Sequence, residues 1–343
     1  MINANNPHPF NPAADGMICN ETRYPENTRC DQYFDAEIHT GTRPAPPEPA
    51  EMGSLSIGDA IEHVGTLRDN SIDLVVFSPP YDEVRDYRGE WKIDLPALGA
   101  ALLRVVKDGG FAVVVIGDGT KNQRKSMTTF RTAVAWEDAG WALFESVIYS
   151  RDGRPGAWWS TRFRVDHEHI LMFYKGKRPR PVDHHQGLRV PSKHAGKKWT
   201  GTQRMTDGSL IKTTSTVAPD KCRGTIWHYA TSNSEGNRVK SQHPATFPDA
   251  LARDLILALS SPGEVVYDPM MGSGTTAVVA AQEGRRFLGN DFSAEYVHIA
   301  CERLQAEADI PLVHVTTTCP ECGNDDVCEG HHYCSDCLEQ VTA

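Results

Sequence analysis

No stretch of the 343-residue chain approaches the roughly 18 consecutive apolar residues that a bilayer-spanning helix needs. Met1 is followed by polar, proline-rich sequence without the apolar core of a signal peptide, so a cytoplasmic protein is expected, in a prokaryotic or phage-infected cell, with no membrane partner. Scattered cysteine pairs are also lacking. Five of the nine cysteines crowd between Cys319 and Cys337, and Cys19, Cys30, Cys222 and Cys301 need no oxidising compartment. Nor does the chain carry overall positive charge: the formal balance is -10, which argues at first against a polyanion partner. Its distribution reverses that argument. Residues 151–240 hold 18 Lys and Arg against 7 Asp and Glu, a local excess of +11 that leaves -21 for the remainder. One basic segment on an acidic body is the footprint of a polyanion-binding surface.

What is present is organised around Asp73-Leu74-Val75-Val76-Phe77-Ser78-Pro79-Pro80-Tyr81. The branched and aromatic run suits a strand buried on both faces of a parallel sheet. Neither proline can donate to a ladder, so the strand ends there in a rigid turn. The turn presents the Ser78 hydroxyl, prolyl carbonyls and the flat ring of Tyr81, a set suited to holding an aromatic ring that bears an amino group.

Before it, residues 1–52 read as an irregular arm closed by Pro44, Pro46, Pro47 and Pro49. Ser54 to Asp59 alternates like a short strand and Ala60, Ile61, Val64 and Leu67 follow at helical spacing, so this strand and Asp73–Phe77 are expected as parallel neighbours. A helix over Leu95–Val106 should stop at Gly109-Gly110 ahead of a strand at Phe111–Ile116. A helix over Thr128–Ala139 and far-edge strands at Trp141–Tyr149 and Ile170–Tyr174 come next. From Lys175 to about Arg223 periodicity vanishes, and a long irregular insert is expected. Order returns with the stripe Leu251, Leu255 and Leu259, a strand at Glu264–Asp268, a helix over Thr276–Gly284, a strand at Arg286–Asp291 and an amphipathic helix over Ala294–Ala308.

Between strand and helix lies Asp268-Pro269-Met270-Met271-Gly272-Ser273-Gly274-Thr275-Thr276. Gly272 and Gly274 let backbone approach a ligand where a Cβ would collide. A nucleoside triphosphate loop wants lysine where Thr275 stands, and a dinucleotide loop wants a third glycine where Ala277 stands. S-adenosylmethionine remains, with no phosphate to cradle and a ribose that wants a carboxylate. Asp291, 17 residues past Gly274 at the next strand end, is positioned to accept both ribose hydroxyls. Both turns follow parallel strands, so both belong on the carboxyl edge of one sheet, facing one crevice.

Ser-Pro-Pro-Tyr followed far downstream by Asp-Pro-Met-Met-Gly-Ser-Gly-Thr-Thr resembles the β-class amino-methylating DNA methyltransferases, in which the catalytic half precedes the cofactor half. The resemblance covers about residues 53–308. It implies an α/β fold: a seven-stranded, S-adenosylmethionine-dependent methyltransferase (Rossmann-like) sheet, mostly parallel and permuted. It implies that Asp59 touches adenine, that Asp268, Pro269, Met270, Gly272, Gly274 and Thr275 form the cofactor loop, and that Asp291 takes the ribose. Asp59 has a second reading as the cap of the helix it precedes. The stretch His243 to Pro248 resembles the segment that closes over the methionine end. The resulting layout is a catalytic half at 53–174, a basic target-recognition insert at 175–240 and a cofactor half at 241–310. Double-stranded DNA is the expected partner of a monomer or homodimer, with a cognate restriction endonuclease as a further partner.

The expected catalytic turn is Ser78, Pro79, Pro80 and Tyr81. N–H bonds from an exocyclic amine to Ser78 Oγ and the Pro79 carbonyl would localise its lone pair for in-line attack on the sulfonium methyl. Tyr81 would stack on a base flipped from the duplex. Methylation at cytosine carbon-5 needs a cysteine nucleophile, usually preceded by proline, and no Pro-Cys dipeptide occurs. In the family serine at the first position leans towards cytosine N4, with adenine N6 the alternative. An inactive nucleic-acid-binding body and an RNA or protein methyltransferase are the competing readings. His167, Glu168 and His169 resemble a metal triad, yet adjacent strand residues face opposite ways, and packing is the favoured reading. Cys319-x-x-Cys322 and Cys334-x-x-Cys337 are spaced as a structural zinc ribbon, expected over residues 313–343 with one Zn2+ on four thiolates.

Overall fold

The structure is a computed structural model that describes residues 52–80, 93–152, 163, 165–182, 189–230, 247–310 and 314–317. Tyr81, His243–Thr246 and the four cysteines of the expected zinc ribbon lie outside the described residues. The chain divides into two compact units, one holding 183–223 and the other the body on either side of it.

The body runs through β1 (Gly53–Ile57), α1 (Ala60–Thr66), β2 (Ile72–Phe77), α2 (Leu95–Val105), β3 (Val106–Ile116), β4 (Thr120–Lys121) and β5 (Arg124–Lys125). It continues with α3 (Thr128–Ala139), β6 (Trp141–Asp152) and β7 (His167–Lys175). The smaller unit contributes β8 (Arg189–Pro191), β9 (Lys198–Arg204), β10 (Leu210–Thr216) and β11 (Asp220–Cys222). The body resumes with β12 (Ile226–Ala230), α4 (Asp249–Leu259), β13 (Val265–Asp268), α5 (Thr275–Gln282), β14 (Arg286–Asp291), α6 (Ala294–Ala308) and β15 (His314–Thr317).

Nine strands form one sheet in the order β12-β6-β7-β3-β2-β13-β14-β1-β15. Only β7 runs against its neighbours; every other adjacent pair is parallel. All six residues of β2 are buried, as its uninterrupted apolar run requires of a strand covered on both faces. Behind its end, Trp136 of α3 is fully buried and packs on Phe77, Trp141 and Phe173 with ring centroids at 6.3, 5.6 and 4.9 Å. Its indole N–H donates to the Leu95 carbonyl at 2.9 Å, so the large apolar ring is buried without an orphaned donor.

Several expectations are corrected. β1 and β2 are parallel but not neighbours, because β13 and β14 from the second half insert between them. The sheet has nine strands where seven were implied, the outermost being β12 and β15. Gly109-Gly110 does not stop a helix: α2 ends at Val105, and both glycines lie within β3, where a Cβ on Gly110 would come within 2.9 Å of the Asp73 carbonyl. The insert is not irregular, since β9 pairs with β10 and β8 with β11. Nor does the insert reach residue 240 as a separate element, for Ile226–Ala230 joins the central sheet beside β6. Likewise His314–Thr317 is the edge strand beside β1, not the start of a separate module.

The β9–β10 ribbon is unusual in composition. On one face Lys198, Thr200, Thr202 and Arg204 and their β10 partners are all exposed, and Trp199 on the other face is 67% exposed. No helix among the described residues is long and apolar enough to cross a membrane.

Trp136→Ala should cost about 3–5 kcal/mol by opening a cavity behind β2 and taking the indole donor from the Leu95 carbonyl. Chemical denaturation reads this directly, and a loss below about 1 kcal/mol would place the aromatic cluster outside the folding core.

Candidate active site

The crevice is built at the carboxyl edge, where β14, β13, β2 and β3 end side by side. The register Leu74 to Val266 and Val75 to Tyr267 sets the Ser78 turn beside the Asp268 loop. Ser78 and Pro80 are partly buried and Pro79 is buried.

Asp268 is 2% exposed, and both its oxygens are engaged. Oδ1 accepts the Met270 N–H at 3.0 Å, and Oδ2 lies 2.8 Å from the Thr276 hydroxyl. The same hydroxyl lies 3.2 Å from the Val76 carbonyl, so its one proton bridges the cofactor-side loop and the strand that carries Ser78. Asp291 ties two further turns: Oδ2 accepts the Gly272 N–H at 2.8 Å and Oδ1 the Ser293 N–H at 2.9 Å. Gly58 N–H donates to the Asp291 carbonyl at 3.0 Å, which brings the Gly58-Asp59 turn to the same edge. Asp59 itself caps α1, its Oδ1 accepting from Ile61 and Glu62 at 2.8 and 3.0 Å.

The two loop glycines divide their work. Gly272 and Gly274 have φ of 51° and 76°, the left-handed region glycine enters without strain. A Cβ on Gly274 would stand 2.6 Å from the Ala300 Cβ of α6, so this glycine also seats the loop on a helix. Thr275, at the start of α5, is buried, and its Oγ1 lies 3.2 Å from Arg303 Nη1.

Three residues that the sequence reading passed over hold these turns. Asn290 is buried and donates to the Gly58 carbonyl at 2.9 Å and to the Pro269 carbonyl at 3.3 Å, while accepting from Ser56 Oγ at 2.9 Å. Arg303, fully buried, donates to the Ser273 carbonyl at 2.9 Å and is neutralised by Glu307. Thr276 is the third. An amide or a guanidinium at a position that helical or strand periodicity makes inward-facing is the signal that was available, because such groups are buried only when paired.

Beneath the crevice the Tyr267 hydroxyl lies 2.9 Å from His63 Nδ1. Burial lowers the His63 pKa to about 4, so the ring is neutral and shares a single proton with the phenol oxygen across this bond. Glu168 pairs with Arg151 at 3.3 Å, while His167 and His169 pack ring to ring at 5.4 Å and Phe130 covers His169. Among the described residues no three metal-ligating groups converge.

A glycine loop, acids at two adjacent strand ends and a Ser-Pro-Pro turn at one carboxyl edge define an open α/β transferase that brings a cofactor against a planar acceptor. Residues 72–302 match the N6/N4 family described as DNA methylase, and the chain belongs to that family. The orphan methyltransferase M.BamHII of Bacillus amyloliquefaciens is 34% identical over 250 residues, 71% of this chain and 91% of its own length. The DNA adenine methyltransferase YhdJ of Escherichia coli K12 is 26% identical, across 75% of this chain and 85% of its own. Among solved structures, the PvuII DNA methyltransferase (cytosine-N4-specific) shares the fold with a TM-score of 0.55 at 21% identity, covering 75% of this chain and 90% of that one. The chain is thus a DNA methyltransferase acting on cytosine N4 or adenine N6.

Burial raises the Asp268 pKa from 3.8 to about 7 and that of Asp291 from 3.8 to about 6. Each carboxyl therefore takes up a proton on folding between its unfolded and folded values, and its contribution to stability falls as pH rises through that window. Asp268→Asn can keep the Met270 and Thr276 bonds without the charge. Its melting temperature should fall less than that of the wild type between pH 5 and 8; equal slopes would show that Asp268 does not titrate there.

Proposed function

We propose that the chain moves a methyl group from S-adenosylmethionine to the exocyclic amine of a base flipped out of double-stranded DNA, with cytosine N4 as acceptor. The observation that carries the reading is the seam at which Thr276 joins the Asp268 loop to the strand ending in Ser78. That seam sets an acceptor turn one strand away from a cofactor turn.

The donor set fits S-adenosylmethionine. Asp59, Asp268 and Asp291 offer carboxylates and the loop from Asp268 to Thr276 carries no Lys or Arg, which suits hydroxyls, an adenine amine and a cationic sulfonium and does not suit a phosphate. Asp291 would hold the ribose and Asp59 the adenine, each carboxylate oxygen having lone pairs beyond the backbone bonds already made. Asp268 shapes Pro269, Met270, Gly272 and Thr275 around the methionine end. The bound cofactor supplies a methyl group on a positively charged sulfur.

Ser78 Oγ and the Pro79 carbonyl accept the two N–H bonds of the amine, drawing its lone pair out of the ring and towards the methyl, while Pro80 stiffens the turn. Tyr81 stacks on the flipped base. The proton released by the methylated amine ends on solvent, directly or relayed through the Ser78 hydroxyl, and no covalent intermediate with the protein forms. Serine at this position supports cytosine. For sequence reading, the β9–β10 ribbon supports DNA contact: a two-stranded ribbon fits the major groove, and one face is open and bears Lys198, Arg204 and Lys212 without an acid.

Incubation with duplex DNA and labelled S-adenosylmethionine, followed by nucleoside mass spectrometry, should yield N4-methylcytosine. N6-methyladenine alone overturns the base, and no methylated nucleoside overturns the activity. Ser78→Ala should lower transfer about a hundredfold or more while cofactor affinity stays near wild type; joint loss of binding would remove the clamp role. Zinc on Cys319, Cys322, Cys334 and Cys337 is supported by spacing, so elemental analysis of the full chain should find about one zinc, lost in Cys322→Ser.

A further inference from the structure

α3 turns Thr129, Thr132 and Trp136 inward, where all three are buried, and the opposite face of such a helix is ordinarily polar. Here that outer face carries Phe130 and Val134, 52% and 61% exposed, with Met127 exposed at the cap before them. Phe130 touches His169 of β7 at a ring-centroid distance of 5.9 Å, and Val134 one turn on stands in solvent.

The sheet beside this helix is open as well. Trp136 packs on Trp141 and Phe173, so α3 lies on the face those rings share. Leu143 stands opposite Phe173 on that face and is exposed. His169 stands opposite Ile148, and Ile148 opposite Ile226, which is 59% exposed on the same face. The Phe130 flank of α3 and the β6–β12 margin thus form one apolar surface. Single exposed apolar residues are ordinary, but a contiguous group of them marks a surface that another molecule covers.

The charges on α3 say what that molecule is. Arg131, Glu137 and Asp138 are exposed on the outer face, and among the described residues none of the three forms an ion pair. A helix macrodipole favours acid in the first turn and base in the last, and α3 has neither. Its amino end follows the cations Lys121, Arg124 and Lys125, with Asp118 accepting the Thr129 N–H at 2.9 Å, while both acids of its outer face sit in the last turn. Each end therefore lacks what the other end carries. Arg131 and Asp138 lie seven residues, two turns, apart on one flank of the outer face, and the midpoint between them falls beside Val134.

We propose that the outer face of α3 is the interface of a homodimer, in which the α3 of a second copy lies antiparallel across it about a two-fold axis beside Val134. One symmetry operation then sets Arg131 of each copy against Asp138 of the other, so a single pairing appears twice. Val134 packs near its own equivalent at the centre, and each amino end gains the acids of the other copy's last turn. Because α3 starts at the carboxyl edge of the sheet and runs back from it, the two crevices open in opposite directions.

Sedimentation equilibrium of the full chain at micromolar concentration should give twice the chain mass of 37.9 kDa. Arg131→Glu sets acid against acid in both pairs, and Asp138→Arg sets base against base, so each alone should raise the dimer dissociation constant about tenfold or more. Both reversals suit the macrodipole of the isolated helix, so a weakened dimer is not a weakened helix. An equimolar mixture of the two variants should recover the wild-type constant, because both pairs regain opposite charge in the mixed dimer. Val134→Lys should give monomer by a separate route, and far-ultraviolet circular dichroism at wild-type strength shows that each variant is folded. A wild type that stays monomeric overturns the dimer. A dimer that neither reversal weakens overturns the α3 interface, and a mixture that fails to recover overturns the antiparallel pairing.

Discussion

The structure depends on a short seam between β2 and β13. Two register pairs join strands that lie about 190 residues apart in sequence, Leu74 with Val266 and Val75 with Tyr267. So brief a ladder is held by side chains at both ends. At the amino edge Asp73, buried, takes both bonds of Lys107 Nζ at 2.7 and 2.8 Å and the Val265 N–H at 2.9 Å. Arg180 spans the same junction, giving Nη1 to both oxygens of Glu264 at 2.9 Å and Nη2 to the Asp73 and Leu259 carbonyls. At the carboxyl edge the Thr276 hydroxyl closes the seam between Asp268 and Val76. A buried carboxylate robbed of its partners costs several kcal/mol, so this network makes any other alignment of the two halves unfavourable. The alignment that survives is the one that sets the Ser78 turn against the Asp268 loop.

Polarity then varies along the carboxyl edge in strand order. Asp291 and Asp268 crowd one side, and burial raises the pKa of both. Both are braced by backbone N–H groups, so they are oriented in advance of any ligand. Asn290 and Arg303 hold the same turns through the Gly58, Pro269 and Ser273 carbonyls.

How much of this was legible depended on whether the information was local. β2, β13, β14 and α6 were readable because apolar runs, strand-ending prolines and helical stripes act within a few residues; α6 occupies the span its periodicity gives. The glycine loop and Asp291 were readable because strand order puts loop and acid together in any sheet of this type. Strand adjacency was not: nothing within residues 53–77 reveals that two strands from beyond residue 260 separate β1 from β2. The ribbon of the insert escaped notice because both its faces meet solvent, so the alternation that marks a half-buried strand is missing. The packing role of Gly274 was not legible because a left-handed glycine serves ligand approach and helix packing alike, and only the fold brings Ala300 against it.

The smaller unit is spliced into the chain between β7 and β12, two strands near one margin of the sheet and at least two places removed from the β2–β13 seam. Its residues can therefore be exchanged, lengthened or shortened without altering the register that aligns acceptor and cofactor. On the proposed reading, in which the β9–β10 ribbon contacts DNA, chemistry and address would be separately heritable: drift in residues 189–223 would alter the site chosen without touching the strands that carry Ser78 and Asp268.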